Sequence, residues 1–281
     1  MDLVKKVKKA VIKCSTEYSE DQIKAYKNAI KNENNENAVW VLKLLLKNAK
    51  IAKKKRRPLC DDTGIPHVYI EIGKKSEISS TFFQKIRRGI AEGLRELPGR
   101  PMALKGNDIE RIEQSKGIYE DPGKVVPPSF FIDNNKEENG TKIHIMMLGG
   151  GPEIRARTKK VFHEHDYRKV FKEVIRWIIV EAKSLGCTPC VPAIGIGRTH
   201  YEATSLMLKA IAHGKLDQQS ELEEYITNSV NSSGIGPLGL GGSTTALGTL
   251  IKIGPQRASG VRIVSTRLCC CVEPRKYTIT I

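Results

Sequence analysis

Apolar residues near the start of the chain recur at three- and four-residue steps. Leu3, Val4, Val7, Ala10, Val11 and Cys14 therefore share one face of a helix, and Cys14 belongs to its packed side. Ser19 followed by Gln22 has the capping-box spacing of a new helix through about Ile30, and residues 38–50 carry a third apolar series containing Trp40, Leu42 and Leu45. The period then changes from helical to alternating in His67-Val68-Tyr69-Ile70-Glu71-Ile72-Gly73, a strand closed by glycine. Residues 82–97 return to a helical period and stop at Pro98-Gly99. Residues 106–140 form a long polar excursion with one strand over 129–132. Residues 142–148 are an apolar strand, and residues 167–185 a helix with Trp177 on its apolar side. Ala193-Ile194-Gly195-Ile196-Gly197-Arg198-Thr199 has the form of a strand and glycine turn opening another helix.

This order of elements predicts a mixed α/β fold of the α+β kind, with helices around short sheets and loops converging on one site. We expect a single domain over 1–281, with a helical N-terminal region over 1–57 and an α/β core over 58–281. A chain of this length can bury a sizeable core. No apolar run approaches the roughly 20 residues of a membrane span, and the first residues lack a signal-peptide core. The expected location is the cytoplasm, with no membrane partner.

The polar chemistry is concentrated where the periodic pattern breaks. Pro58-Leu59-Cys60-Asp61-Asp62-Thr63-Gly64 places a thiol and two carboxylates in a turn between a helix and a strand. Cys187 and Cys190 lie in Gly186-Cys187-Thr188-Pro189-Cys190-Val191-Pro192, and Cys269-Cys270-Cys271 follow near the end. Seven cysteines, some in a C-x-x-C pair and a run of three, suit metal ligation better than a disulfide framework in a reducing compartment. Gly149-Gly150-Gly151 can bring backbone N–H groups to an anion, and Arg100 beside Pro101 can grip a carboxylate with its planar fork. Gly195-Ile196-Gly197 lacks the third glycine of a dinucleotide loop. His200 and His213 read as surface or core residues of a helix.

The formal net charge of +16 suits anionic substrates or an acidic partner. Lys53-Lys54-Lys55-Arg56-Arg57 complements the C-terminal end of a helix dipole, and no nucleic-acid module accompanies it, so nucleic acid is not an expected partner.

The motifs together carry a resemblance. Pro58-Leu59-Cys60-Asp61-Asp62-Thr63-Gly64, the Gly149-Gly150-Gly151 turn, Pro189-Cys190-Val191-Pro192 with Gly195-Ile196-Gly197, and the glycine-rich run from Gly234 to Leu247 occur in order along nearly the whole chain. In these features the chain resembles the α subunit, or N-terminal half, of the class I iron–sulfur fumarate hydratase and L-tartrate dehydratase family.

The resemblance implies a hydro-lyase that reversibly removes water from a small 2-hydroxy dicarboxylate. It implies a [4Fe-4S] cluster held by Cys60, Cys190 and Cys271, the last chosen for its offset to Arg275, with Cys269 and Cys270 as alternatives. Asp62 would be catalytic, and Asp61, Arg100 and Gly150 would bind substrate. A separate β subunit would complete the site in an α2β2 assembly. Four positions depart from the family pattern: Asp61 for its glutamine, Leu148 for the lysine before the glycines, Pro152-Glu153-Ile154 for Ser-Glu-Asn, and Gln256 for a histidine. These departures keep a second expectation open, a cluster-bearing or degenerate subunit with a binding or assembly role.

Overall fold

The computed structural model describes residues 2–281, apart from the side chains of residues 136–138. The fold is α+β and divides into two compact units. The first comprises residues 2–17, 49–148 and 275–281, and the second residues 18–48 and 149–274.

In the first unit, helix α1 (Leu3–Thr16) presents the predicted face inward: Val7, Ala10, Val11 and Cys14 are buried. They pack with α4 (Ser80–Glu96), through Phe82, Ile86, Ile90 and Leu94, over a four-stranded sheet. The sheet runs in the order β2 (Ser129–Asn139), β1 (Ile65–Lys74), β3 (Lys142–Leu148), β8 (Lys276–Thr280). The β1–β2 pair is parallel and the other two pairs are antiparallel. Register places Val68 opposite Ile145 and Ile70 opposite Ile143, so alternate residues point their β-branched side chains under the helices. The excursion between α4 and β2 also contains a short helix, α5 (Asp108–Glu113), capped by Asn107.

The close contact of α1 and α4 depends on two glycines. A Cβ on Gly89 would stand 2.7 Å from the Val7 Cβ, and one on Gly93 would stand 2.8 Å from the Val11 Cβ. The helices touch through missing side chains.

The second unit holds α2 (Glu20–Asn32), begun by Ser19, whose N–H donates to Gln22 Oε1 at 3.0 Å. Helix α3 (Glu36–Lys55) starts here and ends in the first unit. The remaining helices are α6 (Gly150–Glu153), α7 (Tyr167–Leu185), α8 (His200–His213) and α9 (Glu221–Asn231). Their sheet runs β4 (Arg157–Phe162), β7 (Val261–Cys269), β5 (Val191–Gly197), β6 (Leu250–Ile253). Only β5–β6 is parallel.

Gly195 and Gly197 correct the expectation of a glycine turn: they lie inside β5, beneath α8. A Cβ on Gly195 would fall 2.0 Å from the Ala203 carbonyl oxygen, so the pair lets a helix rest directly on strand backbone. His200 opens α8 and His213 closes it. No helix among the described residues is long and apolar enough to cross a membrane.

Gly89→Ala tests the helix contact. Alanine favours an exposed helix by about 1 kcal/mol over glycine, but overpacking costs about 1–3 kcal/mol. The added methyl meets a β-branched neighbour that has little room to turn, so we expect net destabilisation, read as a lower urea midpoint. An unchanged or higher midpoint would contradict this packing.

Candidate active site

The loop between α3 and β1 lies in the first unit. Leu59 is buried, and its N–H donates to the Ser15 carbonyl at 2.9 Å, anchoring the chain just before Cys60. The Cys60 thiol donates to Asp61 Oδ1 at 3.2 Å. That thiol, followed by the Asp62 N–H, holds the Asp61 carboxyl below the ordinary aspartate range. Arg100 approaches Asp61 at 3.8 Å, with both side chains mostly in solvent, so this pair contributes little stability. The Arg100 backbone is held more firmly, through its N–H to Thr63 Oγ1 at 3.0 Å.

Asp62 Oδ1 accepts the Gly64 N–H at 3.0 Å, an Asx-type turn that fixes the plane of the carboxylate. The Asp62 carbonyl accepts from Arg275 Nη1 at 2.6 Å. Gly64 has φ +83°, and a Cβ there would lie 2.7 Å from Arg275 Nη2 and 2.9 Å from the Met147 carbonyl carbon. The turn admits only glycine, for both its backbone and its space.

The other two cysteine stations lie in the second unit. Cys190 is fully buried just before β5, between backbone bonds from its N–H to the Thr245 carbonyl and from the Leu247 N–H to its own carbonyl, both 2.9 Å. Burial pushes its thiol up to about 12, and the nearby Cys270 sulfur adds to the shift. Without a cation to displace the proton, this group is a neutral thiol at pH 7. Exposed Cys187 follows the left-handed Gly186 that ends α7, and its carbonyl accepts the Cys271 N–H at 2.9 Å.

Cys271 lies in a turn after β7. Its carbonyl accepts two phenolic hydroxyls, Tyr18 at 3.0 Å and Tyr26 at 2.5 Å, from rings stacked 5.3 Å apart. Burial raises the Tyr26 hydroxyl well above its ordinary range, which keeps it a donor.

Arg267, absent from our reading of the sequence, is the largest wholly buried side chain of the chain. Its Nη1 meets Glu273 Oε2 at 2.6 Å, Nε meets Glu153 Oε2 at 2.9 Å, and Nη2 donates to the Gly149 carbonyl at 3.2 Å. Burial opposes the guanidinium charge, but the Glu273 carboxylate outweighs it and the group stays protonated. Arg267 Nη1 also donates to the Cys269 sulfur at 3.3 Å. The glycine turn read as an anion cradle holds a carboxylate of the chain itself: the Gly149 N–H donates to Glu273 Oε1 at 2.5 Å.

The glycine-rich loop over 232–247 is tied down by one carboxylate. Glu33 accepts from the N–H and hydroxyl of Ser243, both at 3.1 Å, and from Thr244 Oγ1 at 2.7 Å. The loop in turn holds the C-x-x-C segment, since Thr188 Oγ1 donates to the Gly236 carbonyl at 2.6 Å and the Leu238 N–H donates to the Thr188 carbonyl at 3.0 Å.

Residues 4–280 match the family model described as Fumarate hydratase (Fumerase). The chain belongs to the fumarate hydratase family. Among its relatives is the Methanocaldococcus jannaschii protein named "Putative L(+)-tartrate dehydratase subunit alpha", 32% identical over 244 residues that cover 83% of this chain and 82% of that protein. The L(+)-tartrate dehydratase subunit alpha of Escherichia coli K12 is 24% identical over 218 residues, covering 76% and 69%. Its counterpart in Shigella boydii gives the same figures.

Within this fumarate hydratase family chain, the positions that depart from the family pattern have local structural partners. Leu148 is buried in β3, and the Gln256 side-chain N–H groups donate to the Ile196 and Gly254 carbonyls, while Glu153, the glutamate that the pattern keeps, pairs with Arg267. A run of small polar residues signals the loop over 232–247 in the sequence, but nothing near Glu33 in the sequence marks it as the anchor.

Two outcomes follow. Glu273→Gln removes the charge that neutralises Arg267 in a water-free setting, and breaking such a pair costs about 3–5 kcal/mol. Denaturation should show a loss of this size; a loss under about 1 kcal/mol would mean that the pair behaves as a surface bridge.

The second outcome concerns pH. Burial raises the Glu33 carboxyl, but the Ser243 N–H and the hydroxyls of Thr244 and Ser243 outweigh it, leaving the group below its ordinary 4.5. A depressed carboxyl adds stability that is complete above 4.5 and is lost as pH falls through the folded value. Glu33→Gln should therefore be less stable than the native chain at pH 7, by about 1–3 kcal/mol. The gap should close as pH falls below that range, and a gap constant down to the acid limit would refute the assignment.

Proposed function

We propose that the chain is the α subunit of a cytoplasmic iron–sulfur hydro-lyase that removes water reversibly from a small 2-hydroxy dicarboxylate, completed by a separate β subunit in an α2β2 assembly. The observation that carries this reading is the set of buried thiols on fixed backbone, in a chain matched to the fumarate hydratase family over 4–280. Thiolates are the soft donors that iron–sulfur clusters take, and loss of their protons to metal removes the burial penalty that keeps Cys190 a thiol.

Cys60, Cys190 and Cys271 would hold a [4Fe-4S] cluster. Cys269 and Cys270 stay alternatives to Cys271 on the terminal turn, and the Arg267 N–H on the Cys269 sulfur is a bond that a ligating thiolate also accepts. When bound, such a cluster supplies Lewis acidity at an iron that no cysteine ligates. The chain's own residues supply part of the rest. Asp62, with its plane set by Gly64, holds the proton that moves as the hydroxyl leaves and returns. Arg100 grips a substrate carboxylate, and the backbone at Gly150 bears on the same anion. Asp61, an acceptor-only group where the family has glutamine, suits a substrate hydroxyl better than a carboxylate. The remaining acid–base and arginine groups come from the β subunit, so the chain alone is inactive.

The departures at Leu148 and Gln256, one buried in β3 and the other bonded to local carbonyls, favour a second reading, a cluster-bearing subunit without turnover. Anaerobic reconstitution with iron and sulfide, with and without the β partner, separates the two when followed by a screen of 2-hydroxy acids. Turnover only with the partner supports the hydro-lyase, whereas a full cluster with no turnover in either case supports the binding role.

The thiols can be tested without activity. Serine is a harder and more basic donor than thiolate, so Cys60→Ser and Cys190→Ser should abolish the visible absorption of the reconstituted chain, and Cys14→Ser should leave it intact. Of the terminal three, Cys271→Ser should be the damaging change. Full absorption in Cys271→Ser with loss in Cys269→Ser or Cys270→Ser would move the ligand along the run.

A further inference from the structure

The second unit contains a cavity that none of the chemistry above uses. It measures about 330 Å³, at the lower end of small-molecule sites. Its apolar floor is Val170, Ile196 and Ile253, and its wall is Tyr167 and Phe171, whose rings lie 6.4 Å apart at 69°. Ile196 is near the far end of β5 from Cys190, and a step of six residues along the strand separates the two by about 20 Å.

The polar side of the cavity is built around Arg262. This half-buried guanidinium is fixed through Nη1 by the Ser259 and Val261 carbonyls, at 3.1 and 3.0 Å. No acceptor among the described residues takes its other N–H groups. Nearby, His163 Nε2–H donates to the Ser259 carbonyl at 2.7 Å, and its Nδ1 accepts the His165 N–H at 2.9 Å, which sets the tautomer. The His165 imidazole packs edge-on against His163 and has no hydrogen-bond partner among the described residues.

The carboxylates beside this group are otherwise engaged. Asp166 caps α7 by accepting the Arg168 N–H at 2.9 Å, and Glu164 pairs with Lys169. Arg168 lies over the Tyr167 ring and adds a second positive charge at the wall. The cavity thus offers a fixed, incompletely used guanidinium above an aromatic and aliphatic pocket, and Asp166, the carboxylate that lines it, makes no salt bridge to that guanidinium among the described residues. Glu164 and His165 also have positive φ, 45° and 57°, a conformation rare in non-glycine residues that shapes the rim.

We propose that this cavity is a binding site for a small planar organic carboxylate, one carboxyl on an unsaturated ring, distinct from the cysteine-bearing site. The guanidinium fork matches a carboxylate edge, and the Tyr167–Phe171 wall accepts a flat apolar body. A small aliphatic dicarboxylate would lack the flat apolar body that the Tyr167–Phe171 wall accepts.

Benzoate is the probe, with benzyl alcohol as the uncharged ring and acetate as the charge without a ring, each titrated into the full chain while amide chemical shifts are followed. No cluster or partner is needed, so the result stands apart from the hydro-lyase reading. We expect saturable shifts confined to 163–171 and 253–262, with benzoate binding at least about tenfold tighter than either control, the scale of one charged hydrogen-bonded contact. Arg262→Gln should weaken benzoate by about tenfold and leave benzyl alcohol unchanged. Tyr167→Ala, at a mostly exposed position that folding does not need, should weaken both ring compounds. Absence of saturation, shifts outside these segments, or acetate binding as well as benzoate would overturn the proposal.

Discussion

The buried pairing of Arg267 with Glu273 is the interaction on which the cysteine-bearing part of the second unit depends. A guanidinium in this position is tolerable only because two carboxylates and a carbonyl surround it. Each of those partners belongs to a segment near the proposed site. Glu273 follows the cysteine run, Glu153 closes the short helix after the glycine turn, and Gly149 opens that turn. The ion pair therefore fixes several backbone segments at once, something apolar packing of the same volume would do with less directional preference. The Glu273 N–H also closes the terminal turn onto the Cys270 carbonyl at 2.8 Å. Charge and cysteine geometry are coupled through one residue.

The first unit solves its positioning problem differently. Its loop over 58–64 is held by backbone bonds and by the absence of side chains, with Gly64 lying where any Cβ would strike Arg275 and the backbone of β3. Rigidity here comes from steric exclusion, and the loop's carboxylates, exposed Asp61 and half-buried Asp62, keep access to solvent. That combination suits residues that must bind and release a small polar molecule.

Periodicity made most helices and the β1 and β3 strands legible, including the burial of Cys14 and the limits of α7, because each is a regular apolar face against a neighbour close in sequence or on the same sheet. Strand β7 was not legible. It buries Ser265, Thr266 and Arg267 among apolar residues, so neither alternation nor a continuous apolar run marks it, and what makes those polar groups tolerable is supplied by Glu153 and other partners remote in sequence. β8 joins its sheet through β3, more than a hundred residues earlier, and a five-residue strand of mixed polarity gives no local sign of that pairing. For the candidate site, the cysteine stations and the Cys60 loop stood out as motifs. The groups that immobilise them, Tyr18, Tyr26, Glu33 and Arg267, did not, since a tyrosine in a helix or a glutamate after one has no distinguishing pattern. Gly195 and Gly197 were legible as important but not as strand residues, because close helix approach and a turn both call for glycine.

The two tyrosine hydroxyls on the Cys271 carbonyl join residues 253 and 245 positions apart in the sequence. Contacts of such span carry a large loop-closure cost and form late in folding. During synthesis from the N-terminus, Tyr18 and Tyr26 emerge long before the turn they will hold, and for that interval the stacked pair has no carbonyl to bind. The cysteine turn is consequently completed only after the sheet of the second unit has all of its strands. A ligand that needs the finished turn can therefore bind only after residues 271–273 have joined the two tyrosines.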